Sequence, residues 1–147
     1  MSAYPESIQF LRDVAALGQI PEMEGGTAGS VFTLGWCGIY VAALLERNPT
    51  WTAASVGSWK CFEEEPEECS DMGDGICACM CDHFYAVDGD GWYYDIYGQH
   101  DPKALDEVTH HQVSDNALRC VLESWYDNSD ADYALWAREL ASTAHFV

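Results

Sequence analysis

Residues 37–47, Cys-Gly-Ile-Tyr-Val-Ala-Ala-Leu-Leu-Glu-Arg, are apolar on every side as far as Leu45 and stop at Asn48-Pro49. Their length and their Ala, Leu and Glu content favour a helix over a strand. A helix without a polar face has to be covered all round, so the rest of the chain must wrap it and the core must be built on it. The 147 residues suffice for this. A chain of about 150 forms one domain and buries roughly 68–70% of its unfolded surface without disulfide staples.

Around that helix the other elements fall into place. Residues 5–17 carry Ile8, Leu11, Val14, Ala15 and Leu17 on one helical face behind Pro5, and predict a first helix. Glycines 18, 25, 26, 29 and 35, with Pro21, then break any period. The stretch 18–35 therefore reads as a long shaped loop, with Thr33 as N-cap of the apolar helix and Cys37 in its first turn or so. Residues 51–59 read as a strand. The clearest local signal is a hairpin, in which the β-prone runs 83–87 and 92–97 are joined by Asp88-Gly89-Asp90-Gly91. Residues 114–126 and 131–143 predict two more helices. The expectation is an α+β fold, a central helix on a small antiparallel sheet with terminal helices outside.

Six Lys and Arg stand against 25 Asp and Glu, a net charge of −19. Such a chain neutralises few phosphates, and its field repels nucleic acid and anionic membranes, so neither is an expected partner. With 48% hydrophobic residues it is nonetheless no disordered polyanion. No run approaches the ~20 apolar residues of a membrane span. The opening residues lack the basic and apolar regions of a secretory signal, so the expected location is cytoplasmic. Seven cysteines cannot all pair within one chain, and in a reducing compartment they read as thiols, metal ligands or nucleophiles.

Three residues stand in the order that thiol catalysis needs: Cys37 opening the buried helix, His83 opening a strand, and Asp95 on the returning strand. A helix N-terminus favours a thiolate. A histidine facing it can take the thiol proton and later give it to a leaving group. A carboxylate on the other ring nitrogen fixes the tautomer. Two hairpin registers are open. If Val87 pairs with Gly91 across a three-residue loop, His83 sits opposite Asp95. With a two-residue loop it faces Ile96, and Asp95 points to the other side of the sheet.

The stretches Gly35-Trp36-Cys37-Gly38-Ile39-Tyr40-Val41-Ala42-Ala43-Leu44 and Asp82-His83-Phe84-Tyr85-Ala86-Val87, followed by Tyr94-Asp95-Ile96-Tyr97-Gly98, resemble the core of papain-like thiol hydrolases. The resemblance is nearest to the transglutaminase-like and NlpC/P60-like branches and covers roughly residues 35–98. It implies Cys37 as nucleophile, His83 as general base and acid, and Asp95 as orienter, without a cofactor. Where the papain branch has an oxyanion-binding glutamine, this chain has Val31, which leaves the Cys37 N–H and a polar group of the 28–36 loop for that task. Trp36 and Tyr40 flank the cysteine as candidate walls of a substrate groove. The implied activity is a cysteine-dependent peptidase or amidase, or a related acyl transfer, acting on a peptide or protein.

Other readings stand beside it. Cys61, Cys69, Cys77, Cys79 and Cys81, around an acidic insertion at about 61–76, are alternative zinc ligands, and a metal holding His83 would compete with catalysis. The acid excess suits a substrate with a basic surface, and equally a non-catalytic acidic inhibitor, viral or phage-borne, that mimics a polyanion. His100, His110, His111 and His145 read as surface histidines without a role.

Overall fold

The computed structural model describes residues 2–19, 31–32, 36–57, 83–105 and 109–143. The acidic insertion, its five cysteines, Thr33 and His145 lie outside these. The fold is α+β, as the sequence predicts. Helix α1 (Pro5–Ala15) precedes the central helix α2 (Cys37–Arg47), and strands β1 (Thr52–Gly57), β2 (His83–Val87), β3 (Tyr93–Asp95), β4 (Gly98–His100) and β5 (Thr109–Val113) follow. Helices α3 (Asp115–Trp125) and α4 (Ala131–Thr143) come last. The strands form one antiparallel sheet in the order β4-β3-β2-β1-β5.

Helix α2 is the core, buried from Cys37 through Leu45. One sheet face, with Ala53, Phe84, Ala86, Tyr94 and Val113, packs with the helices around it. The other carries a smaller cluster of Ala54, Val56, Tyr85 and Tyr93. Two polar contacts tie the chain's start to this frame. The Asp115 carboxylate accepts the Glu6 and Ser7 N–H groups, capping α1 from the first turn of α3. The Tyr4 hydroxyl donates to the Val113 carbonyl and accepts the Ala53 N–H, bridging β5 and β1. At its far end α2 is clamped by Glu46, which accepts from Arg12 of α1 at 2.6 Å and from Arg138 of α4 at 2.8 Å.

Three local expectations are corrected. The helix α2 is preceded by Trp36 as cap residue, with no side-chain cap from it. The second run of the hairpin ends at Asp95 rather than Tyr97, because the chain reverses there. Asp95 Oδ1 accepts the Tyr97 N–H at 2.9 Å, and Gly98 follows at φ +102°, where a side chain would be strained. The β2–β3 register is neither of the two weighed above. Val87 pairs with Tyr93, and the loop narrows to Gly89–Gly91, with Gly91 at φ +88°. Asp88 sets this choice: its N–H donates to the Trp92 carbonyl while its Oδ1 accepts the Asp90 and Trp92 N–H groups. The shift is an even one relative to the three-residue loop, so His83 and Asp95 still share a face, as diagonal neighbours.

Candidate active site

Cys37 is the first residue of α2 and is 6% exposed. His83 opens β2, and Asp95 closes β3. The three meet. His83 Nε2 lies 3.0 Å from Asp95 Oδ2, and Cys37 is near enough to the ring to raise its basicity; with Nε2 on the carboxylate, Nδ1 is the ring nitrogen left for the sulfur.

Asp95 anchors the arrangement. At 5% exposure it is the only buried acidic residue among those described, and a buried carboxylate has to be paired and hydrogen-bonded. Burial works against its charge. Hydrogen bonds from His83, His100 and the Tyr97 N–H more than offset that, and hold the carboxyl below its ordinary 3.8. An ionised carboxylate only accepts, so the Nε2 atoms of both histidines carry hydrogen.

That assignment fixes the tautomer of His83. A neutral ring protonated on Nε2 presents the Nδ1 lone pair to the thiol, in position to take its proton. Burial lowers the basicity of His83, but the hydrogen bond to Asp95 and the nearby Cys37 sulfur, with the charges of both, push it up to about 9. Near neutral pH the ring is an imidazolium between a sulfur and a carboxylate.

Neighbouring phenols stay neutral. Tyr85 packs edge-on to His83 at 4.7 Å, and burial with the charges of Asp95 and Cys37 raises its hydroxyl to about 12. No protein-family model, curated protein or solved structure matches this chain. The site therefore rests on its own geometry.

Of the two candidate groove walls, Trp36 is half-buried beside Cys37, with Nε1 donating to Asp130 at 2.8 Å and its ring stacked on Tyr133 at 4.5 Å. Tyr40 is a core residue, 3% exposed and packed on Phe32 at 5.5 Å. Among the described residues no cluster of three or more His, Cys, Asp or Glu could hold a metal.

Two residues beside the site are given no role by the sequence. His100 is no free surface histidine: its Nε2 donates to Asp95 Oδ1 at 2.7 Å. Tyr126, buried after α3, sets its hydroxyl against Gly38 in the first turn of α2. Burial, then the nearby Cys37 charge, raises its hydroxyl far above the ordinary value. His110 is likewise held, its Nε2 donating to the Leu105 carbonyl at 2.7 Å and its Nδ1 accepting from Tyr93 at 3.0 Å. The tyrosine–histidine spacing carries no pattern for these contacts. For His100 the usable signal is the Asp-x-x-Gly-x-His phrase, whose turn folds the histidine back beside the aspartate.

Proposed function

We propose that the chain is a cysteine-dependent hydrolase of the papain-like kind that cleaves an amide or isopeptide bond through a Cys37 thioester. The observation that carries this reading is the imidazole of His83 hydrogen-bonded to Asp95 with Cys37 beside it, the three coming from separate elements. The sulfur also stands in the first turn of a helix, whose N–H groups and dipole favour negative charge.

The chemistry follows from that geometry. The Cys37 sulfur attacks the carbonyl carbon, and the carbonyl π electrons move to oxygen. The developing oxyanion lies near the unpaired first-turn N–H groups of α2, beginning with that of Cys37. His83 then gives its Nδ1 proton to the amide nitrogen, the C–N bond breaks, and an amine leaves a thioester on Cys37. In the second half His83 takes a proton from water, the hydroxide adds to the thioester, and the C–S bond breaks. Acid and thiolate are regenerated. An amine in place of water would give transfer instead. Asp95 stays ionised throughout and stabilises the imidazolium.

The substrate we infer is a peptide or protein with a basic surface. Of the six basic residues, Arg12 and Arg138 are held by Glu46, and Arg119 lies between Glu6 and Glu123. Little positive charge is left to offset the −19, which favours cationic partners electrostatically. The same observation supports a second reading, an acidic binding protein without catalysis.

An activated acyl ester, p-nitrophenyl acetate, separates the two. Wild-type protein should release nitrophenol in a burst, with one acyl group trapped on Cys37 by acid quench and peptide mass mapping. Cys37→Ala and His83→Ala should lose the burst. Acylation spread over several cysteines, unaffected by His83→Ala, would leave the acidic binder as the better description.

A further inference from the structure

The terminal torsion of an aspartate is broad and two-fold, so rotamer preference does not decide which oxygen of Asp95 meets His83. Its partners must decide. Oδ2 takes His83 at 3.0 Å, while Oδ1 takes the Tyr97 N–H at 2.9 Å and His100 Nε2 at 2.7 Å. The turn at Ile96–Tyr97 pairs Asp95 with Gly98, which places His100 two residues on, diagonal to Asp95 on the same face. The ring of Tyr85 then packs edge-on against both imidazoles, 4.7 Å from His83 and 5.7 Å from His100. Two histidines from strands β2 and β4 thus flank one buried carboxylate over one phenol. The side chain of His83 is 16% exposed and that of His100 32%.

We propose that His100 is a positioning residue of this site: by donating to Oδ1 it holds the Asp95 carboxylate in the rotation that keeps Oδ2 on His83. This inference rests on the Cys37–His83–Asp95 reading above and extends it to a fourth side chain. His100 touches no reacting atom. It acts through Asp95, and Asp95 acts through the orientation of the His83 ring. The titratable groups around His83 are Cys37 from α2, Tyr85 from its own strand, Asp95 from β3 and His100 from β4. Tyr40 lies near the Asp95 charge and Tyr93 packs on Tyr85, both as neutral phenols.

Position and charge make opposite predictions, so they can be separated. Without His100 the carboxylate is freer to turn away, and His83 loses support for its proton. If His100 instead acted only by drawing off the carboxylate's charge, its removal would strengthen Asp95 as an acceptor and raise His83 further.

The test is a ring-proton NMR titration of His83, assigned with His83→Gln, combined with iodoacetamide labelling of Cys37 read by peptide mass mapping. In wild-type protein the midpoint should lie near 9, against the ordinary 6.5. His100→Ala should lower the midpoint and slow labelling at pH 7 by about 10-fold, the scale of one hydrogen bond to a charged group. His100→Thr, also too short to reach but well suited to a strand, should do the same if His100→Ala folds poorly. His100→Gln, whose amide N–H can replace Nε2, should restore both.

An unchanged midpoint and rate in the truncations would overturn the role of His100 while leaving the Cys37–His83 pair intact. A midpoint that rises in the truncations and in His100→Gln would overturn it in favour of a pure charge effect. A wild-type His83 titrating near 6.5, with slow Cys37 labelling, would remove the pair itself and His100's task with it.

Discussion

Two carboxylates in this protein are built alike, each gripped from two sides by nitrogen bases on other elements. Glu46, at the last turn of α2, lies between Arg12 and Arg138. Asp95 lies between His83 and His100, beside the first turn of the same helix. In both, burial pushes the carboxyl up and the hydrogen bonds more than restore it, leaving Glu46 below 4.5 and Asp95 below 3.8. The partners make the difference. Guanidinium groups keep their proton at any pH a folded protein meets, so the Glu46 cluster is a clamp. An imidazole can give its proton up, as His83 does at about 9, so the Asp95 cluster is suited to moving a proton in the proposed reaction. One helix carries a fixed ionic joint at its C-terminal end and a titrating one at its N-terminal end.

Mutations at the two ends should therefore fail in different ways. The largest effect is expected for His83→Ala, with Cys37 labelling and acyl transfer falling about 100-fold or more, the usual worth of a general base. Glu46→Gln should leave both rates within about twofold of wild type, since it touches neither proton nor sulfur. Asp95→Asn comes next. It keeps the shape but removes the charge, and should slow acyl transfer by about 10–100-fold while the His83 midpoint falls from about 9 towards 6.5.

Stability orders the two ends the other way. Glu46→Gln should lose about 1–3 kcal/mol in urea unfolding, because a charged hydrogen-bonding partner of two arginines is gone. Arg12→Ala should lose under about 1 kcal/mol, since Arg12 is half-exposed and Arg138 remains on Glu46.

The pH dependence sharpens the contrast. Folding raises His83, so its stabilising contribution is complete below 6.5 and lost as pH rises through about 9. Folding lowers Asp95 and Glu46, so theirs is complete above 3.8 and 4.5 respectively and lost in acid. Urea midpoints measured from pH 6 to 10 should fall across the alkaline half in wild type and in Glu46→Gln. They should stay flatter in His83→Gln.

The grouping of Cys37, His83 and Asp95 was legible in the sequence because each stands where a strong local signal ends: an apolar helix start, a strand start, and an Asp-x-x-Gly turn. Helix α2 runs over the residues its apolar pattern marks, and α4 likewise. Strand β5 was not legible. Thr-His-His-Gln-Val has no apolar alternation, because it is an edge strand whose pairing to β1 rests on backbone hydrogen bonds and on Val113 alone in the main core. His100 was hidden for a related reason. Residues 92–97 read as one β run, and only the Asx-type hydrogen bond from Tyr97 to Asp95 shows that the chain turns back there. The hairpin register turned on the Asp88 side chain, whose capture of two loop N–H groups leaves no trace in hydrophobic periodicity.

Cys37 and Cys120 offer the most direct test, because exposure and activation rank them oppositely. Cys37 is buried, and Cys120 is half-buried on α3. If access governs reactivity, iodoacetamide at pH 7 modifies Cys120 first. If the His83 imidazolium holds the sulfur ready, Cys37 is modified first, and His83→Ala reverses the order. Site-resolved labelling rates showing Cys37 slower than Cys120 in the wild type, with no response to His83→Ala, would contradict the pairing on which the enzyme reading depends.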